Sequence, residues 1–140
     1  MRYEIVKKAY EKEAMLLKEL CECLEQERQC LISGAIAELW PLKEKKERIC
    51  KEVREQESII RDQLKEGRVK EKSINALQKT IIKLKLQAGT RNSENMKIVE
   101  DALEFIDGLV EAITAGGAEH RGYGKVNHAN PNPRILHKEA

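Results

Sequence analysis

Four cysteines, three histidines and a few charges set into apolar stripes are the residues through which this chain could do chemistry. Cys21-x-Cys23 is the closest thiol pair, and on a helix its side chains point about 200° apart, so the two cannot share one metal ion. Cys23 and Cys30 stand seven apart and so share a helix face, where a thiol serves as small apolar filling. Cys50 falls in the next helical pattern, and a reducing cytosol would keep all four as thiols. His120, His128 and His137 lack the close, regular spacing of a metal site. Neither a metal nor another cofactor is expected. Acid–base work would fall to Glu13, Glu27, Lys46 and Arg91, charges that occupy core positions. General catalysis needs a cleft and a third group converging on it, and these four are scattered too widely to converge. For Glu27 and Lys46 the expectation is a semi-buried ion pair that fixes register, since an unpaired charge there would be costly. Arg91 and Asn95 read as polar register-setters of the same kind. The chain is expected not to be an enzyme.

The elements that carry these residues are helices. From about Arg2 to Ile32, Val6, Ala9, Glu13, Leu16, Leu20, Cys23, Glu27 and Cys30 alternate in steps of three and four. Tyr10, Leu17, Leu24 and Leu31 widen that stripe into the face of a bundle helix. Ser33-Gly34 breaks it. A second helix begins at Ala35 or, in fully regular form, at Pro41, with Ala35 to Trp40 then a separate turn. Its stripe is Leu42, Lys46, Ile49, Val53, Gln56 and Ile60, ending near Glu66-Gly67. So short a break makes the first two helices pack antiparallel. The third segment, from about Lys70 to Thr114, holds one phase through Ile74, Leu77, Ile81, Leu84, Ala88, Arg91, Asn95, Ile98, Ala102, Phe105 and Leu109. Gly89 and the polar run after it do not reset that phase, so one continuous helix, weakened in the middle, is expected, with two helices broken near Gly89 as the alternative.

The 140 residues suit one domain. Charged residues make up 36% and aromatics 4%, the bias of long solvated helices. The 26 Lys and Arg interleave with 24 Asp and Glu, which argues against a nucleic-acid partner. No apolar run nears the ~20 residues that cross a bilayer. Met1-Arg2-Tyr3-Glu4 leads into charged helix and not into a signal segment. No membrane insertion and a cytoplasmic location are expected.

Helix lengths point to a binding surface. The first two helices each span roughly 46–48 Å at about 1.5 Å per residue, so a third helix running parallel to the first draws level with Gly34 near residue 101. Residues 101–114 then overhang, and Ala102, Phe105, Ile106, Leu109, Val110 and Ile113 form an uncovered apolar face, a common mark of a binding site. The expected fold is all-α: an antiparallel bundle of three long helices over residues 1–114, with an overhanging third helix. A flexible C-terminal tail over residues 115–140 follows, since Asn130-Pro131-Asn132-Pro133 cannot form a helix. Within that tail, Tyr123 between two glycines and Arg134-Ile135-Leu136 could act as short docking elements.

The pattern resembles a known family. Leu16-Leu17-x-x-Leu20…Leu24-x-x-Glu27-x-x-x-Leu31 precedes Leu42-x-x-x-Lys46-x-x-Ile49-Cys50, and Asn92 and Asn95 lead through an apolar helix to Gly117 and Tyr123-Gly124. This is similar to the FlgN-type flagellar export chaperones over nearly the whole chain. The resemblance implies a cytosolic helical chaperone that binds hook-associated proteins, holds their terminal helices unassembled and delivers them to the export machinery. It also implies substrate binding along Ala102 to Ile113, and docking of Tyr123 on the cytosolic domain of the export gate. The alternative from the residues is an oligomeric coiled-coil adaptor or structural protein that associates through the third helix. An enzyme of the chorismate mutase kind would need several Arg and Lys around one bundle pocket.

Overall fold

A computed structural model describes residues 2–67 and 71–116. Among them the structure is all-helical: α1 (Arg2–Ser33), a 3₁₀ turn (Ile36–Glu38), α2 (Leu39–Leu64) and α3 (Lys72–Gly116). The chain divides into two compact units, Met1–Asn95 and Met96–Ala140.

The first unit is organised around the heptad stripe of α1. Val6, Ala9, Tyr10, Leu16, Leu17, Cys23 and Leu24 are buried along it, together with Glu13. Ile49, Val53 and Ile60 of α2 and Ile74 and Ile81 of α3 complete the main core with α1. Ile49 and Val6 are wholly inaccessible, so each contributes about 1.5–3 kcal/mol by burial. Ile49→Ala would also leave a cavity, at a total cost of about 2–5 kcal/mol.

α1 stops where Gly34 takes φ +78°, a left-handed conformation that a side chain disfavours. The Ala35 amide donates to the Cys30 carbonyl at 2.9 Å, closing the helix end in a Schellman motif. The separate turn expected before Pro41 is present, but α2 starts at Leu39, two residues ahead of the proline. Pro41 still lies in the first turn, where the amide it lacks would have no helical acceptor. α2 closes through a turn to Gly67 at φ +132°.

Partners advance in opposite senses along α1 and α2. Cys23 Sγ lies 3.5 Å from the Leu42 carbonyl, and Cys30 Sγ lies 3.5 Å from Glu38 Oε2 on the turn between the helices. Along α1 and α3 they advance together: Tyr3 with Ser73 at 2.9 Å, Tyr10 with Gln78 at 2.9 Å, and Arg91 donating to the Cys21 carbonyl at 2.9 Å. The cysteines follow their helical angles. Cys23 faces α2, whereas Cys21 packs with Leu24 and Ala88 of α3. Burial pushes both thiols above their usual range, which keeps them protonated and unreactive.

α3 is one helix of 45 residues that passes through Gly89 without a break. Its core-phase residues are buried at Ile74, Ile81, Ala88 and Asn95. No helix among the described residues is long and apolar enough to cross a membrane.

Candidate functional site

Two charged clusters lie in the first unit. In one, Lys46 Nζ donates to Glu27 Oε2 at 2.6 Å, with side-chain exposures of 21% and 14%. This is the semi-buried pair expected from the stripe phases. Asn95 joins it, its amide donating at 2.9 Å to both Glu27 Oε1 and the Leu24 carbonyl. Arg91 anchors to the same stretch of α1 through the Cys21 carbonyl. Both α3 residues therefore tie that helix to α1, as their phase implied.

The other cluster was only half visible in the sequence. Glu13 is 2% exposed and faces Glu57, a residue off the α2 stripe. Lys85 of α3 bonds Glu57 directly and stands 3.7 Å from Glu13 Oε2, too far for a hydrogen bond. That oxygen accepts no hydrogen bond among the described residues. Burial, then the proximity of the Glu57 carboxylate, pushes Glu13 up to about 7 against the pull of Lys85. Burial also raises Glu57, but the Lys85 hydrogen bond, the bond from Glu13 and the nearby Lys85 and Arg61 charges outweigh it and lower Glu57 overall. The pair thus holds one proton, on Glu13, until the pH rises to about 7. A cleft of ≈ 600 Å³ opens beside it, lined also by Tyr10, Ile60, Arg61 and Ile81. Among the described residues, no group of three or more His, Cys, Asp or Glu could hold a metal ion.

The third arrangement is a surface without polar convergence. Beyond Asn95, α3 keeps its apolar phase while burial ceases. Phe105 is 67% exposed and Ile113 75%, with Ile106, Leu109 and Val110 each about half exposed. Ala102 is exposed as well. All six side chains expected to form a binding face therefore lie on solvent-accessible helix. Tyr123, the residue assigned to gate docking, lies outside the described residues, as do the three histidines and Arg134-Ile135-Leu136.

A family model described as FlgN protein matches residues 1–130. The chain belongs to the FlgN family. That family comprises flagellar export chaperones, so the resemblance carried by the leucine spacing and the Asn-x-x-Asn helix is correct. Among curated proteins and among solved structures, nothing matches the chain. For a FlgN-family chain, the buried clusters read as scaffold and the exposed stretch of α3 as the candidate working surface. The sequence missed Glu57 and Lys85 because each stands next to a stripe position, Gln56 and Leu84, and reaches the core with a long side chain.

Proposed function

We propose that this chain is a cytoplasmic flagellar export chaperone that captures the terminal helical segments of hook-associated proteins on α3. In this reading an antiparallel bundle of α1, α2 and the first half of α3 is the scaffold. Ala102, Phe105, Ile106, Leu109, Val110 and Ile113 hold the client, keep it unassembled and present it to the export gate. Tyr123 docks the loaded chaperone on the gate's cytosolic domain. The protein has no catalytic role.

One observation carries the reading. A single helix buries its apolar stripe as far as Asn95 and then exposes the same stripe over Phe105 to Ile113. Nothing in helix propensity requires large apolar residues on an exposed surface, and helix-in-groove capture uses this spacing. Burial at ~25 cal/mol per Å² supplies several kcal/mol before ordering costs, enough for a complex that can still release its client.

The test is co-elution of the full chain with the terminal segment of a hook-associated protein. Phe105→Asp and Leu109→Asp should each abolish the complex while helicity by circular dichroism persists. Retained binding in both would remove the face from the reading. Tyr123→Ala should leave client binding intact and weaken titration against the export gate's cytosolic domain. A stable dimer in sedimentation that buries the Phe105 face would favour the coiled-coil adaptor.

A further inference from the structure

We propose that the cleft between α2 and α3, with the α3 surface beside it, docks a helical segment of another protein that carries Asp and Glu around a short apolar ridge. This surface lies in the first unit and shares no residue with the client face. The observation is a stretch of α3 without acids. Charges of both signs interleave through most of the chain, yet from Lys72 to Ser93 there is no Asp or Glu. Of the basic residues in that stretch, Lys85 bonds Glu57 and Arg91 donates to the Cys21 carbonyl, so both serve the fold. Lys72, Lys79 and Lys83 are exposed and meet no carboxylate among the described residues.

Apolar surface lies next to these lysines. Ile82 and Leu86 are 60% and 68% exposed. At about 100° per residue, Ile82, Leu86, Lys79 and Lys83 fall in that order within one arc of about 100°, the lysines on one flank of the apolar pair. On the other flank the helix turns into the cleft of ≈ 600 Å³, where Ile82 joins Ile60, Leu64 and Ile81 in the lining. Arg61 and Lys65 line it from α2. Lys65 has a screened pair with Asp62 at 3.6 Å, and the Glu57 carboxylate is held by Lys85. A partner laid along the cleft therefore meets an apolar floor between two basic edges.

The size of the floor sets the size of the partner. The lining runs from Glu57 to Lys65 on α2 and from Gln78 to Lys85 on α3, about 10–12 Å at ~1.5 Å per residue, or two helical turns. Apolar side chains at i and i+4 with carboxylates beside them match both the length and the edges. The chain's own acidic stretch is a poor occupant, since Asp101 is met by Lys97 at 3.7 Å and Glu100 and Glu111 each have an interaction within the chain.

Two synthetic helical peptides sharing a Leu pair at i and i+4, edged by Glu in one and by Lys in the other, test this by calorimetric titration. The proteins are the full chain and its Phe105→Asp variant, whose client face is spoiled. In Phe105→Asp the Glu-edged peptide should bind on the order of tenfold more tightly than the Lys-edged one, the ratio shrinking as salt is raised. It should bind the wild type equally well. Lys79→Glu with Lys83→Glu should weaken that peptide on the order of tenfold, and Ile82→Ser with Leu86→Ser should weaken both peptides. All four side chains are exposed, so helicity by circular dichroism should persist. Equal affinities, or Glu-edged binding undiminished in the serine variant, would overturn the proposal. Loss of Glu-edged binding in Phe105→Asp would move the peptide to the client face and do the same. So would a dimer in sedimentation that the lysine variant dissociates, making a second copy the occupant. Displacement of the peptide by octanoate alone would make this a site for small amphiphilic anions and would equally overturn it. The client reading is judged separately, by whether a hook-associated segment binds the wild type and not Phe105→Asp.

Discussion

Glu13 and Glu27 stand two heptads apart on the same stripe of α1, and the fold treats them oppositely. Glu27 receives a lysine ammonium at 2.6 Å and an asparagine amide at 2.9 Å, so each carboxylate oxygen has a donor. Glu13 is deeper, shares Lys85 with a second carboxylate and keeps one oxygen without a hydrogen bond. The same residue type at the same helical phase thus becomes a fastening in one place and a titrating group in the other. The difference lies in the donors, because burying a carboxylate is tolerated in proportion to the hydrogen bonds it receives.

Removing the donor from the well-paired site should have the largest effect. Lys46→Ala leaves Glu27 with only the Asn95 amide and should destabilise the first unit by about 3 kcal/mol. Urea denaturation at pH 8 measures it. A loss below about 0.5 kcal/mol would mean that Glu27 is solvated enough to need no partner, and the contrast with Glu13 would collapse.

The second prediction concerns pH at the poorly paired site. Unfolded, Glu13 titrates at its ordinary value of 4.5; folded, at about 7. Below pH 4.5 both states hold the proton and the stability linked to this group is fully present. As pH rises toward 7 the unfolded chain releases the proton first, so stability falls, and above 7 that contribution is gone. Glu57, lowered by Lys85 and its neighbours, works in the other direction and loses its contribution as pH falls. At ~1.4 kcal/mol per unit the Glu13 shift is worth about 3 kcal/mol, with the push of Glu57 and the pull of Lys85 already contained in it. Glu13→Gln, which keeps the shape and cannot ionise, should therefore gain about 2 kcal/mol on the wild type between pH 5 and pH 8. Parallel stability profiles for the two proteins would show that Glu13 holds no proton in the fold.

The same contrast marks how far the sequence could be read. Glu27 and Lys46 were legible as a pair because both sit in stripe phase and Gly34 fixes where the chain turns back. Continuity of α3 was legible too, since a loop at Gly89 would have reset the phase. Glu57 and Lys85 were not, because periodicity registers where a side chain leaves the helix, while a four- or five-atom chain can reach around to the core. The start of α2 differed for a related reason: proline is compatible with any position in a first turn, so Pro41 marks the turn and not its first residue. On α3, periodicity put Phe105, Leu109 and Ile113 on one face but could not separate a buried face from an exposed one. That distinction needed coordinates, and Tyr123 still rests on the family resemblance alone.

A smaller effect is expected at Asn95, the amide that completes the well-paired site. Asn95→Ala removes hydrogen bonds to Glu27 and the Leu24 carbonyl and should cost about 1–2 kcal/mol. Coupling sharpens the comparison: combined with Lys46→Ala, the loss should depart from the sum of the two by about 0.5 kcal/mol or more, because both act on Glu27. Combined with Glu13→Gln, the two effects should simply add, the Asn95→Ala loss being the same in either background. Additivity in both pairs, read from denaturation midpoints, would mean that Asn95 supports α1 through Leu24 only.

Gly89 lies on α3 between Lys85, which serves Glu13, and Asn95, which serves Glu27. It is helical, and a Cβ built there meets nothing within 4 Å. Gly89→Ala should therefore stabilise the helix by about 0.5–1 kcal/mol through lost freedom in the unfolded chain alone. Being indifferent to either cluster, the gain should be equal at pH 5 and pH 8, and equal in the Glu13→Gln and Asn95→Ala backgrounds. A gain confined to one background would show that α3 bends at Gly89 to satisfy one site at the other's expense. Equal gains would leave the donors around each carboxylate as the whole of the difference between Glu13 and Glu27.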